Sequence, residues 1–223
     1  MILRLYNCDN RVLDTDEIAV LEIESPKIFS KMMSDFLYGE FPAREIALER
    51  DGEILKSSDI CCISDYFNLD FTGKTILGKL YKQFEKELFS DFADYNEIMN
   101  SFNELKEKII RFTFRTDIIT EPKEPPELRE ILNLVGIIPL KEQGKILENL
   151  IQYVNICAEL KLFKVMVFVN LKSYLNETET ETLYRQSLYK GMPVILLEGT
   201  HRENKLQYEK KLFLDKDFCD TII

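Results

Sequence analysis

Apolar positions change their period along the chain, and each period predicts a different kind of element. In the N-terminal part they come in short runs, and Val12 to Leu13 and Ile18 to Ile23 have strand character. Ser25 stands at a helix N-cap position with Pro26 at the first helical position, where its missing N–H costs nothing. Ile28, Phe29, Met32, Met33, Phe36 and Leu37 follow at amphipathic-helix spacing, up to a stop at Gly39. Ile60 to Ile63 is a short apolar run that predicts a buried strand.

From Thr72 the pattern turns helical and stays so. Leu77, Leu80, Tyr81, Phe84 and Leu88 form one stripe; after a break near Ser90 to Asp94, Tyr95, Ile98, Phe102, Leu105, Ile109 and Phe112 form a second. The second stripe alternates steps of three and four, as a heptad seam does, and two such helices predict an antiparallel pair. Beyond Pro125-Pro126 a third helix is expected, with Leu128, Ile131, Leu132 and Val135 inward and Gly136 as its stop. Ile146 to Leu160 predicts a helix leading into the continuous apolar run Phe163 to Val169, typical of a parallel strand covered on both faces. Asn176 with Glu179 reads as a capping box, Val194 to Leu197 as a second buried strand, and Lys211 to Asp215 as a further one. The expected layout is an α/β head made from residues 1–72 and 138–223, with a helical leg inserted at 73–137.

Composition narrows the function classes. The 223 residues are 45% hydrophobic and 30% charged, which suits a soluble globular chain. No apolar run approaches the ~20 residues of a membrane helix, and the N-terminus does not read as a secretory signal, so a cytoplasmic protein away from membranes is expected. Five cysteines, an odd number without a C-x-x-C pair, are expected to be reduced thiols. His201 is the only histidine, in a polar segment that predicts a solvated loop residue, so most triads and histidine–metal sites are excluded. No stretch assembles a catalytic centre, and binding rather than catalysis is expected. The net charge of −10 argues against a generally basic nucleic-acid footprint.

Three patterns carry candidate chemistry. Thr72-Gly73-Lys74-Thr75 follows an apparent strand, but a phosphate-binding loop needs glycine where Asn68 stands, and Leu69, Asp70 and Phe71 fill the loop. Thr72 is expected to be a plain helix cap; the alternative is a divergent P-loop NTPase using Lys74 and Thr75. Asp117, Glu121, Glu124, Glu127 and Glu130 form an acidic run whose hard oxygen donors suit calcium or magnesium, although Glu127 and Glu130 also complement a helix N-terminus. Lys79, Lys82 and Lys86 recur at i, i+3, i+7 opposite the apolar stripe, with Glu85 and Glu87 diluting them, and Lys27 and Lys31 make a shorter pair. A solvated helix face is the plain alternative; Lys123 and Arg129, beside the acidic run, complete the candidate nucleic-acid-binding set.

Several segments, in order, resemble the type II-A CRISPR-associated adaptation protein, the Csn-two family. They are Val20-Leu21-Glu22, Phe29-Ser30-Lys31, Asp59-Ile60 to Ser64-Asp65, Phe168-Val169-Asn170, and Leu214-Asp215 with Asp217-Phe218. The resemblance implies a head similar in fold to P-loop NTPases without a working nucleotide site. It also implies a homotetrameric ring whose lysine-lined hole takes double-stranded DNA ends, with calcium near the junction of head and legs, where Glu130 matches the family's acidic position. The role implied is spacer acquisition in CRISPR immunity, with the CRISPR integrase complex and effector nuclease as partners. Local lysines can make phosphate contacts whatever the net charge, and such contacts carry no sequence preference. A protein-interaction adaptor is the remaining alternative.

Overall fold

The computed structural model describes residues 1–5, 11–14, 16–38, 46–115, 118–119, 121, 126–215 and 220–222. Expectations on Cys8, Gly39, Asp117, Lys123, Glu124, Asp217, Phe218 and Cys219 lie outside them. The strands are β1 (Ile2–Leu5), β2 (Arg11–Asp14), β3 (Ile18–Ile23), β4 (Ile46–Arg50), β5 (Glu53–Ile54), β6 (Ile60–Ile63), β7 (Val165–Val169), β8 (Val194–Glu198), β9 (Glu209–Leu214) and β10 (Asp220–Ile222). The helices are α1 (Pro26–Tyr38), α2 (Lys74–Ser90), α3 (Phe92–Thr113), α4 (Leu128–Val135), α5 (Ile146–Glu159) and α6 (Glu177–Tyr189). The chain divides into two compact units, one of Met1–Leu69 with Lys141–Ile223 and the other of Asp70–Leu140.

In the first unit a six-stranded sheet has the order β10-β9-β3-β8-β7-β6. All neighbours are parallel except the edge pair β9 and β10, so the fold is α/β around a parallel sheet. Because side chains alternate across a strand, the sheet has two different faces. Ala19, Leu21, Val167, Ile195 and Leu212 belong to an apolar cluster with Ile28, Met32 and Phe36 of α1. The same cluster takes in Leu3, Leu5, Leu13, Ile46 and Leu48 from a four-stranded antiparallel sheet, order β2-β1-β4-β5. The opposite face carries Glu22, Glu198, Glu209 and Lys211, and Tyr184 of α6 reaches it.

Local chemistry sets the ends of these elements. Pro26 opens α1, and the Asn176 side chain accepts from Glu179 N at 3.0 Å while Asn176 N donates to the Glu179 carboxylate at 2.9 Å. At Asn170 the chain takes φ +54° to leave β7, and the side chain accepts from Gly199 N at 2.8 Å. Nothing in the sequence pattern marked the small antiparallel sheet beyond β2, because β1, β4 and β5 are too short for their alternation to show.

The second unit has a modest core in which Tyr81, Leu128 and Leu132 are buried and Phe84, Leu88, Tyr95 and Ile98 pack around them. Tyr81 donates to Ile137 O at 3.0 Å, so its hydroxyl is satisfied where its ring is buried. The connection between α2 and α3 is Asp91 alone, shorter than the expected break, and its carboxylate accepts from Ala93 N and Asp94 N. Gly136 ends α4 at φ +71°, the left-handed conformation glycine adopts without strain.

Three sequence expectations are corrected in this unit. The α2 cap is Gly73 rather than Thr72, and α2 begins at Lys74. Val135 does not face inward; it is 66% exposed. The lower half of the α3 stripe is not a buried seam either, since Leu105, Ile109 and Phe112 are 51, 57 and 60% exposed.

Candidate functional site

The lysines of α2 are placed by its apolar stripe. With Tyr81 buried and Phe84 and Leu88 packed beside it, the opposite side of the helix must face water, and Lys74, Lys79, Lys82 and Lys86 are all exposed there. At about 100° per residue these four spread over ~140° of the helix circumference. Within that arc Gly78 leaves a gap, and the Arg129 guanidinium of α4 fills it, 3.6 Å from where a β-carbon of residue 78 would sit. Arg129, itself exposed, therefore joins the lysine face. α2 also carries two acids that dilute the arc, Glu87, which receives a hydrogen bond from Gln83 at 3.0 Å, and the half-buried Glu85. Such a face can take phosphate oxygens through mobile ammonium groups and one forked guanidinium.

The two lysines of α1 differ from each other. Lys27 is exposed, whereas Lys31 is held at 2.8 Å by the buried carboxylate of Asp35 one turn on. Its charge is already matched, which makes it a poor phosphate contact.

Of the acidic run, Glu121, Glu127 and Glu130 fall on described residues, and all three are exposed. Glu127 is the N-cap of α4; its N–H donates to the Glu130 carboxylate at 3.1 Å in a reciprocal capping box. These two charges serve the helix N-terminus, and among the described residues no three His, Cys, Asp or Glu side chains are grouped to hold a metal ion. The described carboxylates therefore do not fit a calcium site.

The candidate phosphate loop is also settled locally. The Asp70 carboxylate accepts from Thr72 N at 3.0 Å and occupies the space beside Gly73 where a side chain would go. An anion thus sits on the Thr72 amide and beside Gly73, where a phosphate would have to come. The loop follows β6, an edge strand, rather than β3, which lies between β8 and β9. After β3 the chain passes through Glu24 and Ser25 straight into Pro26 of α1, leaving little room for a phosphate cradle.

A buried ionic cluster in the first unit went unread in the sequence. Glu22 and Glu198 are direct register partners on β3 and β8, both buried, and like charges so placed repel. Three cations offset Glu22, Glu198 and Glu209. Lys211 Nζ lies 2.9 Å from Glu22 Oε1 and donates to the carbonyls of Arg202 and Asn204. Lys172 Nζ lies 2.6 Å from Glu209 Oε1, which also accepts from the Tyr184 hydroxyl at 2.7 Å. Arg202 donates through its guanidinium to Lys172 O and through its N–H to Glu22 Oε2.

His201 belongs to this cluster, which corrects its expected place in a solvated loop. Its Nδ1 is 2.8 Å from Glu22 Oε2, and its ring stacks on Phe213 with centroids 4.0 Å apart. Burial pushes the Glu198 carboxyl up to about 7, against the opposing pull of the Lys172 N–H and of the Lys172 and Arg202 charges. Burial and the neighbouring Glu209 likewise push the Tyr184 hydroxyl up. A groove of about 520 Å³ beside the cluster is lined by Lys172, Asn176, Thr180, Arg202 and Asn204. A legible signal did exist: a strand covered on both faces cannot carry Glu22, Glu198 or Lys211 to water, so each needs a buried partner.

Among the described residues no helix is long and apolar enough to cross a membrane. The cysteines among them, Cys61, Cys62 and Cys157, are free thiols. Together these features define an α/β protein with a helical insertion that exposes a cationic helix face. The chain belongs to the CRISPR-associated protein family Cas_Csn2, whose family model matches residues 42–218. Among solved structures it is similar to Stu0660 of Streptococcus thermophilus, at 15% identity and a TM-score of 0.47, covering 100% of this chain and 76% of that one. It is also similar to a metal-chelate type ABC transporter in an inward-facing conformation, at 13% identity and a TM-score of 0.42, covering 100% and 80%.

Proposed function

We propose that this CRISPR-associated protein is a non-catalytic subunit that binds the ends of double-stranded DNA, without regard to sequence, as a homotetrameric ring. The observation that carries the reading is the α2 face, where Lys79, Lys82 and Lys86 stand exposed with Lys74 and Arg129 in one arc. Cations so arranged meet a phosphate backbone whatever its bases, and a ring admits a free end but not a closed circle. Non-catalysis is supported by Asp70, whose carboxylate already takes the Thr72 amide in the candidate phosphate loop. Its role in spacer acquisition, beside an integrase complex and an effector nuclease, rests on the family.

Affinity for linear and covalently closed circular duplexes, with calcium and with chelator, tests the reading. Tight binding to linear DNA alone is expected; equal binding to both, or to neither, overturns it. Calcium is proposed from the family alone, and equal binding with calcium and with chelator removes it. Replacing Lys79, Lys82 and Lys86 together by Ala should flatten the dependence of log affinity on log salt by ~2.7, at about 0.9 for each phosphate no longer neutralised. An unchanged slope would take α2 out of the interface.

A further inference from the structure

The groove of about 520 Å³ beside the buried ionic cluster lies within the first unit, and none of its residues takes part in the DNA reading. One wall is the β7–α6 connection with the first turn of α6, and the other is the β8–β9 connection. Both walls are fixed from behind. Lys211 Nζ donates to the carbonyls of Arg202 and Asn204, and the α6 capping box holds Asn176. A preset concave surface of this kind can receive a small molecule without paying to order itself.

Its deepest cation is held at three points. The Lys172 N–H donates to Glu198 Oε1 at 3.1 Å, its carbonyl accepts from the Arg202 guanidinium at 2.8 Å, and its Nζ lies 2.6 Å from Glu209 Oε1. Lys172 is 8% exposed, and beyond that ion pair its ammonium has no aligned hydrogen-bond acceptor among the described residues. An ammonium carries three N–H donors, and buried donors left unmet cost stability, so acceptor oxygens from outside the chain are favoured there. Arg202 and Asn176 add donors beside it. The Asn176 Oδ1 is taken by Glu179 N, which leaves its Nδ2 for the groove.

The charged side chains lining the groove come in equal numbers, Lys172 and Arg202 against the exposed acids Glu177 and Glu203. The acids would repel a di- or triphosphate, and the cations would repel a polyamine. A ligand with one charge of each sign suits both pairs. Leu175 and Leu206 add apolar surface to the same lining. We propose that this groove binds a free apolar α-amino acid. Its carboxylate meets Lys172 and the guanidinium fork of Arg202, its ammonium meets Glu177 and Glu203, and its side chain lies against Leu175 and Leu206.

The test is calorimetry on the full chain with L-leucine, isocaproate, isoamylamine and inorganic phosphate, the site being located by backbone amide shifts. L-leucine should bind saturably and move the amides of Asn176, Arg202 and Asn204. Isocaproate, which lacks the ammonium, and isoamylamine, which lacks the carboxylate, should each bind about tenfold more weakly, since each loses one charge-assisted contact. Arg202→Gln and Glu203→Gln should each weaken L-leucine by about the same factor. Arg202→Gln should spare isoamylamine and Glu203→Gln should spare isocaproate, a split that a general loss of structure would not give. The proposal is overturned by no saturable binding of L-leucine, by isocaproate or phosphate binding as tightly, or by amide shifts that fall elsewhere. No DNA is present in these titrations, so their failure leaves the DNA reading untouched.

Discussion

Glu198 holds a buried carboxylate directly across from Glu22, and its proton affinity is a property of that surrounding. Its ordinary pKa of 4.5 is pushed up to about 7 by burial. The folded chain then binds the proton more tightly than the unfolded one. Stability therefore falls as pH rises from about 4.5 to about 7 and is level beyond, by up to ~3 kcal/mol. Glu198→Gln removes that titration while keeping an acceptor for the Lys172 N–H. Urea unfolding at pH 5 and pH 8 should show the variant gaining on the unmodified protein at the higher pH; parallel behaviour at both would count against the assignment. His201 marks how far residue-level reading of the sequence reaches. Its polar neighbours Arg202 and Glu203 predict a loop in water, yet Glu22, 179 positions earlier, draws the ring in. Local composition cannot report a partner supplied by another strand.

Elements with strong local signals were legible. Ser25-Pro26 opened α1, Asn176 with Glu179 capped α6, and the apolar runs of β7 and β8 formed the parallel pair they suggested. β1 and β4 were not, since four or five residues give too short a stretch for a period to emerge. The α3 stripe was legible as a helix face but not in its burial, because periodicity marks a face as apolar and not how much of it packs. At the C-terminus of α4, Gly136 at φ +71° supports one direct prediction. Gly136→Ala finds open space for its methyl but an unfavourable backbone, so a loss of about 1 kcal/mol is expected. A urea midpoint shift of the matching size would confirm it, and a neutral result would mean the cap relaxes.

At the scale of the whole molecule the two units differ in how much they bury. Every residue of β3, β7 and β8 is buried, whereas among the described residues of the second unit the buried apolar side chains are Phe71, Ile76, Tyr81, Leu128, Ile131 and Leu132. Hydrophobic burial contributes roughly 25 cal/mol per Å², so the helical unit has far less holding it closed. Hydrogen exchange should release the amides of α2, α3 and α4 by local opening before those of the sheet, which should exchange only with global unfolding. Uniform protection across both units would contradict this.

The ends of the inserted segment have a consequence of their own. Lys141 Nζ donates to Leu69 O at 3.3 Å, so the chain departs from the first unit and rejoins it at nearly one point, 72 positions later. A detour that starts and finishes in one place constrains the host sheet very little, and its closure entropy grows only with the logarithm of its length. The legs can therefore lengthen, shorten or be exchanged through evolution while the strands keep their register, which makes reach an adjustable dimension of an otherwise fixed design.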